Sequence, residues 1–164
     1  LTCANNIINK YQNVSFKLIG SFDNVNPTSL KLVDIKNFLN DKISYIDFKD
    51  DINDEIQSAD VIVLPSYTEG LSKALLEGAA HGKPLVATNI AGCTAICVDG
   101  HNGYICECRD IEGLERNIEK LILMSAQKRY DFGMNSRKLV EDFFEVSKIN
   151  DKYLSVIEGV INES

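Results

Sequence analysis

Two short apolar runs, Val61 to Leu64 and Leu85 to Ala87, constrain the fold more than any other feature of this sequence. Neither alternates with polar residues, so neither suits a sheet with one wet face; each needs cover above and below. Between them lies "GLSKALLEGAAHG", which reads as a helix beginning near Gly70 and closed by Gly82. Strand, helix and strand of this kind make a parallel unit, and the rest of the chain continues the alternation. "VSFKLIG" is a strand ending in Gly20, "NPTSLKLVDIKNFL" a helix with Asn26 or Thr28 near its cap, "ISYIDF" a strand and "INDEIQSA" a short helix. After "KPLVAT" come a turn at Gly92, a strand at Ala95 to Val98, a "DGHNG" turn and the strand "YICE". Helices at Asp110 to Met124, Ala126 to Phe143 and Val146 to Ile161 follow, the first with Leu114, Ile118, Leu121 and Ile122 at helical spacing. The predicted architecture is α/β, a doubly wound parallel sheet whose ligands sit at the carboxyl ends of the strands.

A chain of 164 residues, 45% of them hydrophobic, supports one domain with a full core. "LTCANNIINKYQ" is helical in period from its first residue, and an α/β sheet leads with a strand, so a strand and a loop are expected to precede Leu1. Asp and Glu outnumber Lys and Arg by 24 to 17, without a basic run to follow a phosphate backbone, so nucleic acid is not an expected partner. No apolar run has the length of a membrane span, and the start does not read as a signal peptide. Cys3, Cys93, Cys97, Cys106 and Cys108 are odd in number and sit in or beside apolar segments, which reads as buried structural thiols in a reducing cytoplasm. Their spacing is not that of a metal site, so no metal is expected.

The strand at Val61 runs into "PSYTEG", which sets Glu69 at a strand's carboxyl end and a helix's amino end. Free N–H groups from about Gly70 to Lys73 suit hydroxyls or phosphate oxygens, and glycine at 70 permits close approach to the backbone. Glu77 lies eight residues on, about 12 Å along a helix axis at ~1.5 Å per residue. That separation is too great for an acid/base pair on one bond. It suits two carboxylates holding the ends of an elongated ligand with vicinal hydroxyls at each end, the shape of a nucleotide sugar. Two exposed glutamates on a helix are usually solvated, but Glu77 stands between "ALL" and "GAAHG", with few polar neighbours. Ser66 lacks the G-x-S-x-G elbow of a nucleophile, His81 and His101 read as surface or capping residues, and Tyr67 reads as core.

"VIVLPSYTEGLSKALLEGAAHGKPLVATNIAGC…DGHNGYI", with "FKLIG", "YIDFKDDINDEIQSAD" and "RDIEGLERNIEKLI" in order around it, resembles the donor-binding half of the family 4 glycosyltransferases. "IGSFDNVNP" and "AGC" are most similar to members that build lipid-linked or surface polysaccharides. The resemblance implies the GT-B fold, of which residues 1–164 would be the Rossmann-like C-terminal, nucleotide-sugar-binding half, without its first strand and its acceptor-binding N-terminal domain. It implies a retaining transfer of a hexose-type sugar from a UDP- or GDP-sugar to a glycan or lipid-linked acceptor, with no cofactor. Glu69 would be the catalytic-site residue at the hexose, with Gly70, Leu71 and Ser72 lining the sugar and phosphate, and Glu77 on the ribose. Phe48 and Lys49 would border the base and Gly20 the cleft. The cations for the diphosphate would lie before Leu1, so the chain alone would not transfer sugar, and any contact with a membrane surface would belong to the missing half. Asp47, Lys73 and Ala95 depart from the family's common residues, where Gly, an apolar or amide residue, and Glu are usual. The alternatives are another GT-B enzyme such as a nucleotide-sugar epimerase, and a non-catalytic nucleotide-binding module.

Overall fold

The computed structural model describes residues 1–22 and 31–162. Strands and helices alternate as α1 (Thr2–Lys10), β1 (Phe16–Ile19), α2 (Leu32–Lys36), β2 (Ile43–Ile46), α3 (Asn53–Ser58) and β3 (Ile62–Leu64). Then follow α4 (Lys73–Ala80), β4 (Leu85–Thr88), α5 (Ala91–Thr94), β5 (Gly103–Cys106), α6 (Ile111–Leu123), α7 (Ala126–Phe143) and α8 (Val146–Asn162). All strand pairs are parallel: β1 pairs with β2, and β3, β4 and β5 form a second sheet in that order. Asn26 and Thr28, the expected caps of the second helix, lie outside the described residues.

The unalternated runs are covered on both faces, as their composition requires. Leu85 and Ala87 pack on one side with Leu75 and Ala79 of α4 and with Cys93, Ile96 and Cys97. Val86, between them in sequence, packs on the other with Cys3 and Ile7 of α1 and Ile118 and Leu121 of α6. Burial of Leu85 and of Val86 contributes roughly 1.5–3 kcal/mol each, in keeping with the place of β4 as the central, fully buried strand of its sheet. Gly82 ends α4 as expected: its φ of +67° is the left-handed conformation, and the N–H groups of Gly82 and Lys83 return to the carbonyls of Ala79 and Gly78.

Two expectations are corrected. Ala95 to Val98 is not a strand: α5 caps at Ala95, and the N–H groups of Ile96 and Cys97 both reach back to the carbonyl of Cys93. The fully buried Asn102 holds this turn, its Oδ1 accepting from the Val98 N–H at 2.7 Å and its Nδ2 donating to the Ile96 carbonyl at 2.8 Å. The apolar run buries Ile96 and Cys97 as a strand would, so hydrophobicity alone does not separate the two conformations. Helix α4 begins at Lys73 and not near Gly70, because Ser72 is its N-cap and its Oγ accepts from the Leu75 N–H at 3.3 Å.

All five cysteines carry free thiols, with Cys108 half-buried and the others buried. Burial pushes the Cys97 thiol from an ordinary 9.0 up to about 12 and the Cys3 thiol up to about 11. Below pH 9 these thiols are protonated in both folded and unfolded chains. Above it the unfolded chain ionises first, so their contribution is intact below pH 9 and is lost as pH rises toward 11 and 12. Denaturant melts between pH 8 and pH 11 should therefore show falling stability that Cys97→Ala reduces in slope; an unchanged slope would contradict this burial. Helix α8 leaves Tyr153, Leu154, Val156 and Ile157 more than half exposed. No helix of the described residues is long and apolar enough to cross a membrane.

Candidate functional site

The carboxyl ends of β3, β4 and β5 converge on the segment between Leu64 and Ser72. The Thr88 hydroxyl, at the end of β4, donates to the Ser66 carbonyl at 2.5 Å, and the Cys108 thiol, just beyond β5, reaches the same carbonyl at 3.8 Å. Gly92 lies directly under the loop: a Cβ there would stand 2.6 Å from the Glu69 carbonyl oxygen and closer still to that of Gly70. The loop is thus held from below by backbone and by a buried hydroxyl, with Glu69 half-buried on it. Its Oε1 accepts from the Ser66 hydroxyl at 2.7 Å.

Beyond the loop, Gly70 and Leu71 are exposed, and Ser72 is buried with its hydroxyl committed to the cap. The Ser72 N–H points to the Gly92 carbonyl at 3.5 Å. Among the described residues, the N–H groups of Gly70, Leu71, Lys73 and Ala74 have no hydrogen-bond acceptor, so the amino end of α4 presents unpaired donors to solvent. Glu77 lies a turn further on, its side chain about one-third exposed and paired with Lys73 at 3.4 Å. The expected scarcity of polar neighbours around Glu77 therefore holds only in part. Because Glu69 lies in the loop, the helical rise does not apply across the whole interval between the two carboxylates.

At the far end of α4, His81 Nε2 lies 2.9 Å from Asn53 Oδ1, and Lys83 donates to the Gln57 carbonyl at 2.8 Å. Helix α3 therefore lies beside the end of α4, and the loop leading into it from β2 carries Phe48 and Lys49. Phe48 is exposed, its N–H taken by Asp47 Oδ1 at 2.8 Å, and Lys49 pairs with Glu55 at 2.5 Å. Gly20 follows β1, with its N–H on the Ile46 carbonyl at 3.2 Å and its carbonyl receiving the Tyr45 hydroxyl at 2.8 Å. It borders a hollow of about 330 Å³ whose walls include Leu1, Phe22, Ile35 and Tyr45. A second hollow, about 200 Å³, lies between the turn at His101 and Lys138 and Asp142 of α7.

Several residues differ from their sequence reading. Tyr67 is exposed, not core, and lies under the Arg109 guanidinium at 5.4 Å from the ring centroid. Arg109 itself has a φ of +66°. Ser66, which lacks a nucleophile's setting, donates to the carboxylate three residues on, and Thr88, which reaches the Ser66 carbonyl only through tertiary packing, leaves no mark as a site residue in the sequence. His81 and His101 are exposed, as expected. Among the described residues, no group of three or more His, Cys, Asp or Glu is placed to hold a metal.

Parallel strands alternating with helices, with Glu69 and unpaired N–H groups at the carboxyl edge of β3 to β5 and Glu77 on α4, define a Rossmann-like α/β domain. The chain belongs to the group 1 glycosyl transferases, whose family model matches residues 2–139. It is 29% identical over 162 residues to the capsular polysaccharide biosynthesis glycosyltransferase CapM of Staphylococcus aureus, covering 96% of this chain and 41% of that protein. A second relative is the Campylobacter jejuni N,N'-diacetylbacillosaminyl-diphospho-undecaprenol alpha-1,3-N-acetylgalactosaminyltransferase, 29% identical over 148 residues, 90% of this chain and 38% of that one. The chain thus spans about two-fifths of the length of these relatives. In fold it matches Anabaena Alr3699/HepE, solved in complex with UDP-glucose, with a TM-score of 0.81 at 20% identity over 96% of this chain and 44% of that one. The fold is that of the GT-B glycosyltransferases.

Proposed function

We propose that this chain is the donor-binding half of a retaining glycosyltransferase that moves a hexose-type sugar from a UDP- or GDP-sugar to a glycan or lipid-linked acceptor. The observation that carries this reading is the order of groups along α4. Glu69 stands before its amino end, unpaired N–H groups follow, Glu77 comes next, and the loop of Phe48 and Lys49 leads to the helix beside its far end. A nucleotide sugar laid along α4 puts its hexose at Glu69, its diphosphate at Gly70 to Ala74, its ribose at Glu77 and its base near Phe48 and Lys49. Helix N-termini favour anions but supply only about 0.3–1 kcal/mol at exposed sites, so further cations belong to the rest of the protein.

The relatives' greater length and the exposed apolar face of α8 support a second half that brings the acceptor, and with it any contact with a membrane surface. Transfer needs donor and acceptor in line, so the chain alone would hold the donor without using it. Its unpaired thiols support a reducing, cytoplasmic compartment.

Glu77→Ala is expected to weaken nucleotide binding roughly ten- to a hundredfold, since a hydrogen bond to a charged group contributes about 1.5–3 kcal/mol. Saturation-transfer NMR with UDP, GDP and their sugar conjugates tests this. Equal binding by the parent chain and by Glu77→Ala would remove the ribose assignment.

A further inference from the structure

We propose that Ser66 is a positioning residue that fixes the Glu69 carboxylate for the donor's sugar. The inference rests on the reading of Glu69 given above. A glutamate side chain has three rotatable bonds, and a loop glutamate that must meet one set of hydroxyls needs something to select its rotamer. The Ser66 hydroxyl donates to Oε1 at 2.7 Å, which occupies one oxygen and leaves Oε2 to accept from a ligand.

The loop does not need this bond for its own shape. Its backbone is held at the Ser66 carbonyl by Thr88 and Cys108, at Glu69 and Gly70 by contact with Gly92, and at Ser72 by the cap of α4. The Ser66 hydroxyl is the group left over, and it is spent on the carboxylate. Thr88 is buried and its hydroxyl fixes the Ser66 backbone, so the rigid end of β4 is connected through two hydrogen bonds to Glu69. The mutual spacing of Ser66 and Glu69 in the chain allows this geometry, and only the anchored loop enforces it.

The test compares affinities for UDP-glucose and UDP, and for GDP-mannose and GDP, in the parent chain, Ser66→Ala, Ser66→Thr and Glu69→Ala. Each pair gives a ratio that isolates the sugar end. Ser66→Ala should lower that ratio roughly three- to tenfold, less than the direct loss of a ligand's hydrogen bond because the Glu69 carboxylate is loosened and not removed, with free-nucleotide affinity unchanged. Ser66→Thr, which keeps the hydroxyl, should restore it, and Glu69→Ala should lower it at least as far as Ser66→Ala. A purely structural serine would move both ligands together. If Glu69→Ala lowers the ratio and Ser66→Ala does not, the positioning role is overturned while the donor reading stands. If neither changes it, or if the parent binds no nucleotide sugar, the donor reading fails and this inference fails with it. Should Ser66→Ala lose both ligands through misfolding, Ser66→Cys decides: a lowered ratio with nucleotide affinity retained supports the role, and an unchanged ratio overturns it.

Discussion

Replacing Asn102 with alanine is expected to cost about 2–5 kcal/mol of folding stability. The side chain is fully buried and makes two hydrogen bonds to backbone groups four and six residues earlier, the Val98 N–H and the Ile96 carbonyl. Alanine removes the side-chain partner of both groups, and each unsatisfied group costs about 1–3 kcal/mol. The loss should spread, because Ile96 and Cys97 pack in the same cluster as Leu85 and Ala87. Asn102→Asp keeps an acceptor for Val98 but sets a second acceptor against the Ile96 carbonyl, so it should fall in the same range. Denaturant unfolding of both variants checks this, and a loss below about 1 kcal/mol for Asn102→Ala would mean that the turn does not depend on its side chain.

A pair of glycine substitutions has the second largest expected effect and separates the ligand's needs from the fold's. Gly92→Ala places a methyl group against the carbonyls of Glu69 and Gly70, both of them backbone atoms, so the loop or α5 must move. Overpacking of this kind costs typically about 1–3 kcal/mol, and here the movement displaces Glu69 itself. Stability and affinity for a nucleotide sugar should fall together, the affinity by at least about tenfold. Gly70→Ala is the contrast: a Cβ there meets nothing within 4 Å, and its φ is not in the left-handed region. Its stability should stay within about 0.5 kcal/mol of the parent, yet a ligand lying close to the Gly70 N–H would meet the new methyl group. Retained stability with weakened binding in Gly70→Ala places the ligand against this backbone. Unchanged binding by both variants would remove the ligand from the loop.

Much of the scaffold was legible because burial on two faces leaves a direct mark on composition. Val61 to Leu64 and Leu85 to Ala87 have no polar residue to turn toward water, and the structure covers both with helices. Ala95 to Val98 carries the same mark and is not a strand, because the choice was made by Asn102, outside the run. The start of α4 lies three residues beyond Gly70, the expected position, because nothing in "GLSK" forbids a helix. What stops it is the Ser72 hydroxyl turning back on the Leu75 N–H, and serine's preference for that position was a readable signal. At the site, Glu69 and Glu77 stood out by their surroundings in the sequence, whereas the support of Glu69 depends on Thr88 and Gly92, which reach it only once β3 and β4 are paired. Tyr67 shows the reverse case: an aromatic residue at the end of an apolar strand is exposed because the chain has already left the sheet.

The central claim is that a nucleotide sugar lies along α4 at the carboxyl edge of the strands. Backbone amide shifts of the isotope-labelled chain, titrated with UDP-glucose and with GDP-mannose, test it most directly, because the residues named span the whole proposed path. The largest changes are expected at Gly70, Leu71, Lys73 and Ala74, with smaller ones at Glu77, at Phe48 and Lys49, and at Gly20. A change at Glu69 is expected with the nucleotide sugars and not with UDP or GDP alone, which should keep the change at Glu77. Shifts gathered instead around His101, Asn135 and Lys138, at the hollow beside α7, or the absence of any shift with either ligand, would contradict it.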